Sequence, residues 1–166
     1  MLYRHSYLPM KAKLVIYNAL YLSHVNYCYL VWGTSSQENV QSLFILQKKA
    51  VRAICNAEYN SSTQNLFTDL SLVKITDLYN YRLLTMYRRM TLQNNPYFDD
   101  LVQLRRRELD RSLRTTASWW VPRSRTFYGT QLISYRLPKL LNAYGELNFL
   151  NLSATDITFL FLSANN

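Results

Sequence analysis

Two short runs in this chain carry side chains able to do chemistry on phosphates. Tyr97-Phe98-Asp99-Asp100 places two adjacent carboxylates behind an aromatic residue. On a tight β-hairpin such a pair can hold two metal ions for phosphoryl transfer. The flanks argue otherwise. Asn94-Asn95-Pro96 precede the run, Leu101-Val102-Gln103-Leu104-Arg105 follow it in a helical pattern, and no suitable strand upstream offers a further carboxylate. The expected setting is therefore the first turn of a helix, where Asp99 and Asp100 meet the positive end of the helix dipole. The second run is Trp119-Trp120 followed by Arg123 and Arg125. Flat rings beside guanidinium groups suit stacking on unpaired bases while arginine pairs with phosphate. Tryptophan also buries large areas wherever it packs, so the pair can equally be core anchors that pin a loop. The residues alone leave both readings open.

Charge points the same way as the second run. The 166 residues carry a net charge of +9. Its distribution is uneven. Residues 101–139 hold Arg105, Arg106, Arg107, Arg111, Arg114, Arg123, Arg125, Arg136 and Lys139 against only Glu108 and Asp110. Such a stretch attracts phosphate backbones or anionic membranes, and salt should weaken that attraction. A solvated, arginine-rich surface is the other reading. Lys48, Lys49 and Arg52 form a smaller basic group on one predicted helix, either as phosphate contacts or as an ordinary outer face.

Other chemistries find little support. The 3 glycines are isolated, so no phosphate-cradling loop exists. The 2 histidines have no recognisable setting for a hydrolase. His5, His24, Cys28 and Cys55 lack the Cys-x-x-Cys pairs that announce a structural zinc site, and no cofactor is expected. Both cysteines lie on apolar, helix-like stretches and read as buried thiols in a reducing compartment. Residues 14–37 contain no charged side chain, but Asn18, Ser23, His24 and Asn26 interrupt them. Those polar groups are costly in hydrocarbon, so a buried helix pair is expected rather than a membrane span. No secretory signal is evident, which points to an intracellular protein of the nucleus or cytoplasm.

The elements that must position these residues are mainly α-helical, because few obligatory turns are present. One helix is expected over residues 11–22. Ser23 should cap a second that reaches Trp32, with Gly33 as its stop. The clearest is an amphipathic helix from Ser35 or Ser36 to about Ala57, with Val40, Leu43, Phe44, Leu46, Ala50, Val51 and Ile54 inward. A short helical piece follows at residues 64–70. Thr76 should cap a long helix to about Leu92, with Leu78, Tyr79, Leu83, Met86, Tyr87 and Met90 inward. Pro96 should start another helix that reaches Leu113 and carries Arg105, Arg106 and Arg107. Residues 115–128 read as a long loop that presents side chains. Gln131 to Tyr135 permits one short strand. Pro138 should open a short helix ended by Gly145, and Ser153 or Thr155 should cap a last one.

Three stretches in order carry a family resemblance. They are Tyr27-Cys28-Tyr29-Leu30-Val31-Trp32-Gly33, then Leu46-Gln47-Lys48-Lys49-Ala50-Val51-Arg52, then Val121-Pro122-Arg123-Ser124-Arg125-Thr126-Phe127-Tyr128-Gly129. Leu66-Phe67, Tyr79 and Pro138-Lys139-Leu140-Leu141-Asn142 add to them. Together they resemble the region downstream of the palm in reverse transcriptases of LINE-type, non-LTR retrotransposons, most closely the tick-transposon reading frames of arthropods. The resemblance implies a helical, thumb-like domain over residues 1–114. The resemblance runs from about Leu2 to Tyr144, and the chain's own pattern sets a basic loop, a short strand and C-terminal helices over residues 115–166, packed on that domain. The resemblance implies binding to the RNA or DNA backbone of a template–primer through Lys48, Lys49, Arg52, Arg123 and Arg125, with a reverse-transcriptase palm as a potential partner; the charge pattern adds Arg105, Arg106 and Arg107 as expected nucleic-acid contacts. The Tyr97–Asp100 run spells the Y-x-D-D box of such enzymes out of its setting. No stretch matches fingers or palm. The carboxylates and their Mg2+ would belong to that missing palm, and this region would be inactive alone. The alternative expectation is a structural or interaction remnant with no nucleic-acid role.

Overall fold

A computed structural model describes residues 7–107, 118–145 and 147–163. His5, Glu108, Asp110, Arg111, Leu113, Arg114 and residues 115–117 lie outside the described residues, and with them the expected helix end at Leu113. The described residues are mainly helical. They group into two compact units, Met1–Tyr81 with Thr158–Asn166, and Arg82–Ile157.

In the first unit α1 (Met10–Ile16), a π-helical turn (Tyr17–Leu22) and α2 (Ser23–Asn26) run on without interruption. The wide turn is marked by the Ser23 amide, which donates to the Asn18 carbonyl. Tyr17 and Tyr21 stack at 5.3 Å within it. Ser23 was expected as a cap, but it has helical dihedrals and its hydroxyl donates back to the Ala19 carbonyl. The break falls later, at Cys28, which takes a left-handed φ of 50°. α3 (Tyr29–Trp32) follows, and the Trp32 indole donates to the exposed Tyr27 carbonyl at 2.7 Å. Gly33 ends α3 at an ordinary φ of −66°. Its lack of a side chain matters for space, since a Cβ there would sit 2.5 Å from the Tyr29 carbonyl oxygen.

α4 (Gln37–Ile54) is the expected amphipathic helix, with Val51 and Ile54 of the expected stripe buried and one departure from it. Leu46 is 51% exposed, whereas its neighbour Gln47 is 1% exposed. The Gln47 amide nitrogen donates to the Tyr17 hydroxyl and the Val73 carbonyl, both at 3.0 Å, and its oxygen accepts from the Ile75 amide at 2.9 Å. One side chain thus satisfies backbone groups that no helix or strand pairs. Lys13 on α1 is also 1% exposed. Its ammonium donates to the Ala53 carbonyl at 3.0 Å and to Asn56 Oδ1, where the last carbonyls of α4 favour a cation. Phe44 packs on Phe67 of α5 (Gln64–Asp69) at 6.0 Å. Tyr29 donates to the Ile75 carbonyl at 2.6 Å, and burial pushes its phenol up to about 12.

α6 (Ile75–Leu92) buries Ile75, Leu78 and Tyr79 in the first unit, and Leu83 and Leu84 in the second. Four helix stops among the described residues use a residue other than glycine. Asn56, Ser71, Asn94 and Gln103 take φ of 51°, 51°, 47° and 48° instead. After three of them an amide closes back onto the helix: Ala57 to the Arg52 carbonyl, Leu72 to Phe67 and Asn95 to Met90.

In the second unit α7 (Pro96–Val102) is capped by Asn95, whose Oδ1 accepts from the Phe98 amide. It buries Phe98 and Val102 and packs against α8 (Ile133–Ala143), which buries Leu137 and Leu141. Two expectations fail here. Gln131 to Tyr135 forms no strand. A 3-10 turn (Gly129–Gln131) leads into α8, and the Tyr135 and Arg136 amides both donate to the Leu132 carbonyl. Pro138 therefore lies inside α8 rather than at its start. α9 (Ala154–Ser163) begins with reciprocal capping. Asp156 N–H donates to Ser153 Oγ at 3.1 Å, and Ser153 N–H donates to the Asp156 carboxylate at 2.7 Å. No helix among the described residues is long and apolar enough to cross a membrane.

Candidate nucleic-acid interface

The basic residues singled out by sequence fall into two groups with different surroundings. Lys48, Lys49 and Arg52 belong to the first unit, on α4. The Lys48 ammonium lies 4.3 Å from the centre of the Phe44 ring, one turn back. Arg52 is half-buried and its Nε donates to the Ser61 carbonyl at 3.0 Å, fastening the 58–63 turn. Only Lys49 of the three is classed as exposed. Lys48 and Arg52 therefore have structural attachments.

Arg105, Arg106 and Arg107 belong to the second unit. They were expected on a helix running through to Leu113. α7 instead stops at Val102, because Gln103 turns left-handed. Residues 105–107 then run antiparallel to residues 118–120. The Arg107 amide donates to the Ser118 carbonyl and the Trp120 amide to the Arg105 carbonyl, both at 2.9 Å. Arg106 and Trp119 form the bridge between them. That pattern makes 106 and 119 a non-hydrogen-bonded pair, whose side chains lie close and whose own amides and carbonyls face outward. The Arg106 guanidinium accordingly sits 5.6 Å from the Trp119 ring centre. The outward backbone of Trp119 is taken by Asn142 of α8. Its Oδ1 accepts from the Trp119 amide at 2.9 Å, and its Nδ2 donates to the Trp119 carbonyl at 2.8 Å. Asn142 thus replaces a missing third strand and fixes the segment to a helix.

Trp119 is half-buried by this arrangement, while Trp120 is 45% exposed. The sequence left stacking and anchoring open for the pair; the burial of Trp119 fits an anchor, and Trp120 keeps the more exposed ring. Arg105, Arg106, Arg107, Arg123 and Arg125 are all exposed. Arg123 is three residues beyond Trp120, so their Cα atoms are at most about 11 Å apart. The loop beyond is internally tied. Ser124 Oγ donates to the Thr126 carbonyl at 3.0 Å, the Gly129 amide to Thr126 Oγ1 at 3.1 Å, and Thr130 Oγ1 to the Phe127 carbonyl at 2.6 Å. A side chain on Gly129 would collide with Ser124 Oγ. Phe127 and Tyr128 project from this loop at 63% and 78% exposure, ring centres 6.4 Å apart. Residues 118–145 contain no Asp or Glu. Arg106 and Asp99 both act on Tyr87. Burial chiefly raises that phenol, Arg106 lowers it and Asp99 raises it.

Asp99 and Asp100 lie exposed on α7, a helix, beside exposed Tyr97. Among the described residues no three His, Cys, Asp or Glu side chains gather where a metal could bind. Cys28 is exposed and Cys55 half-buried, so Cys28 departs from the expected buried thiol. Asn142 is the positioning residue that charge-based reading passes over. The only sequence signal was its place in the Pro138-Lys139-Leu140-Leu141-Asn142 run. No family model, no curated protein and no solved structure matches the chain.

Proposed function

We propose that this chain is a non-catalytic, helical nucleic-acid-binding module. It would hold the backbone of RNA or DNA with little sequence preference, as the thumb-like C-terminal part of a retrotransposon reverse transcriptase would hold its template–primer. Catalysis, and the Mg2+ it needs, would belong to a palm acting with it. The observation that carries this reading is the set of exposed arginines at 105, 106, 107, 123 and 125, the first three on a segment paired with Trp119, which Asn142 ties to α8. Each guanidinium that replaces a condensed counterion contributes affinity that falls with salt. Fluorescence anisotropy of a labelled duplex across a salt series tests it. R123A/R125A should weaken binding and reduce the slope of log affinity against log salt by about 2. An unchanged slope removes those two residues from the interface.

A second reading rests on a different observation. Val15, Tyr27 and Val31 of the first unit are 66%, 77% and 76% exposed. Apolar surface of this kind suits a protein partner, and on that reading the chain is an interaction module with no nucleic-acid role. Absence of any salt-sensitive oligonucleotide binding would favour it.

A further inference from the structure

The backbone contacts proposed above would serve a duplex and a single strand alike; the aromatic side chains among the arginines would not. We infer that the second unit prefers unpaired nucleotides, with Trp120 and the Phe127–Tyr128 pair as stacking platforms. This rests on the nucleic-acid reading and narrows its substrate class.

Three features support it. The register of the 105–107 and 118–120 segments puts side chains alternately on opposite faces. Arg106 and Trp119 share one face and engage each other. Arg105, Arg107 and Trp120 therefore share the other, where Trp120 keeps 45% of its surface exposed. An indole flanked by guanidiniums offers a ring for a base and charges for the phosphates on either side. The second feature is the loop that carries Phe127 and Tyr128. Its three internal side-chain hydrogen bonds and the close Ser124–Gly129 approach fix the backbone beneath two mostly exposed rings. Rings held out by a tied loop lose little freedom on stacking. The third is charge. Arg123 and Arg125 lie between the two aromatic groups in sequence, and no acid occurs from residue 118 to residue 145. Bases already paired and stacked in a duplex present their edges and phosphates, so they leave these rings unused. A single strand can use both rings and charges.

The test compares a fluorescein-labelled oligo(dT) or oligo(U) with a duplex of equal length at one salt concentration, using the full chain. The single strand should bind more tightly and should quench tryptophan fluorescence. W120A should weaken single-strand binding roughly tenfold, the scale of one lost base stack, and leave duplex binding unchanged. It should also abolish most of the quenching. Y128A should weaken single-strand binding several-fold. The W32F variant, altered in the first unit, should retain the quenching. Circular dichroism and the thermal midpoint verify that each variant is folded, and Y128A carries the test should W120A misfold. Equal affinity for both substrates, with W120A and Y128A indistinguishable from wild type, overturns this inference and leaves backbone binding standing. No binding of either substrate overturns both.

Discussion

Both units engage cations internally, the second through Arg136, whose Nε donates to the Thr130 carbonyl, but only the second also carries the exposed arginine set singled out by sequence. In the first, cations are drawn into the structure: Lys13 is buried at the end of α4, Arg52 ties a turn, and Lys48 lies on Phe44. In the second, Arg105, Arg106, Arg107, Arg123 and Arg125 stay exposed on segments held by backbone and by Asn142. The lesson is that net charge does not locate an interface. A cation already engaged by carbonyls gains less from meeting a phosphate, because new contacts must replace existing ones.

The comparison can be broken most severely from the inside of the first unit. Gln47→Leu leaves the Ile75 amide and the Val73 carbonyl without partners. It should cost about 3 kcal/mol or more in a urea titration. Lys13→Met should cost about 2 to 4 kcal/mol, since it strips Ala53 and Asn56 of a buried donor. A neutral result for both would mean that buried polar links do not hold this unit. Alkaline pH acts on the same links. Tyr29 is held neutral from its usual 10.0 up to about 12, chiefly by burial and then by the Asp77 charge. Its contribution is complete below pH 10 and is lost as pH rises through 12, because only the unfolded chain releases the proton earlier. Tyr29→Phe should flatten that part of the stability–pH curve.

In the second unit Asn142→Ala should cost about 1 to 2 kcal/mol, through the two hydrogen bonds to Trp119. It should also weaken oligonucleotide binding without touching a charge. Smaller still, Asn94→Gly should stabilise the chain by about 0.5 to 1 kcal/mol, because glycine meets no steric penalty at φ of 47°. Loss of stability there would mean that the asparagine side chain does more than turn the backbone.

These particular residues also show what could be read from the chain. The amphipathic pattern of α4, the Pro96 start of α7 and the Ser153 cap of α9 are local signals, and each describes an element that forms. Gln47 was illegible because its partners lie 26 and 28 residues away in sequence, and only the packed chain brings their unpaired backbone groups to it. Leu46 alone of the expected stripe is misplaced, for the same reason. The end of α7 was missed because a glutamine, not a glycine, turns left-handed at 103. That single residue moves Arg105, Arg106 and Arg107 from a helix to an extended segment. Pro138 misled in the other direction. A proline in the second turn removes one amide, and the α8 start is already secured by bonds to the Leu132 carbonyl. The basic residues were legible as a set; their division between structural and exposed roles required the burial of each.

One measurement sets the two groups of cations directly against each other. Oligonucleotide affinity is followed from low to moderate salt for the wild type, for R105A/R107A/R123A/R125A and for K48A/K49A. The account predicts that the arginine variant loses about 4 from the salt slope, close to one released counterion per guanidinium, while the α4 variant changes it by less than about 1. Equal losses in both variants, or none in the first, would contradict it.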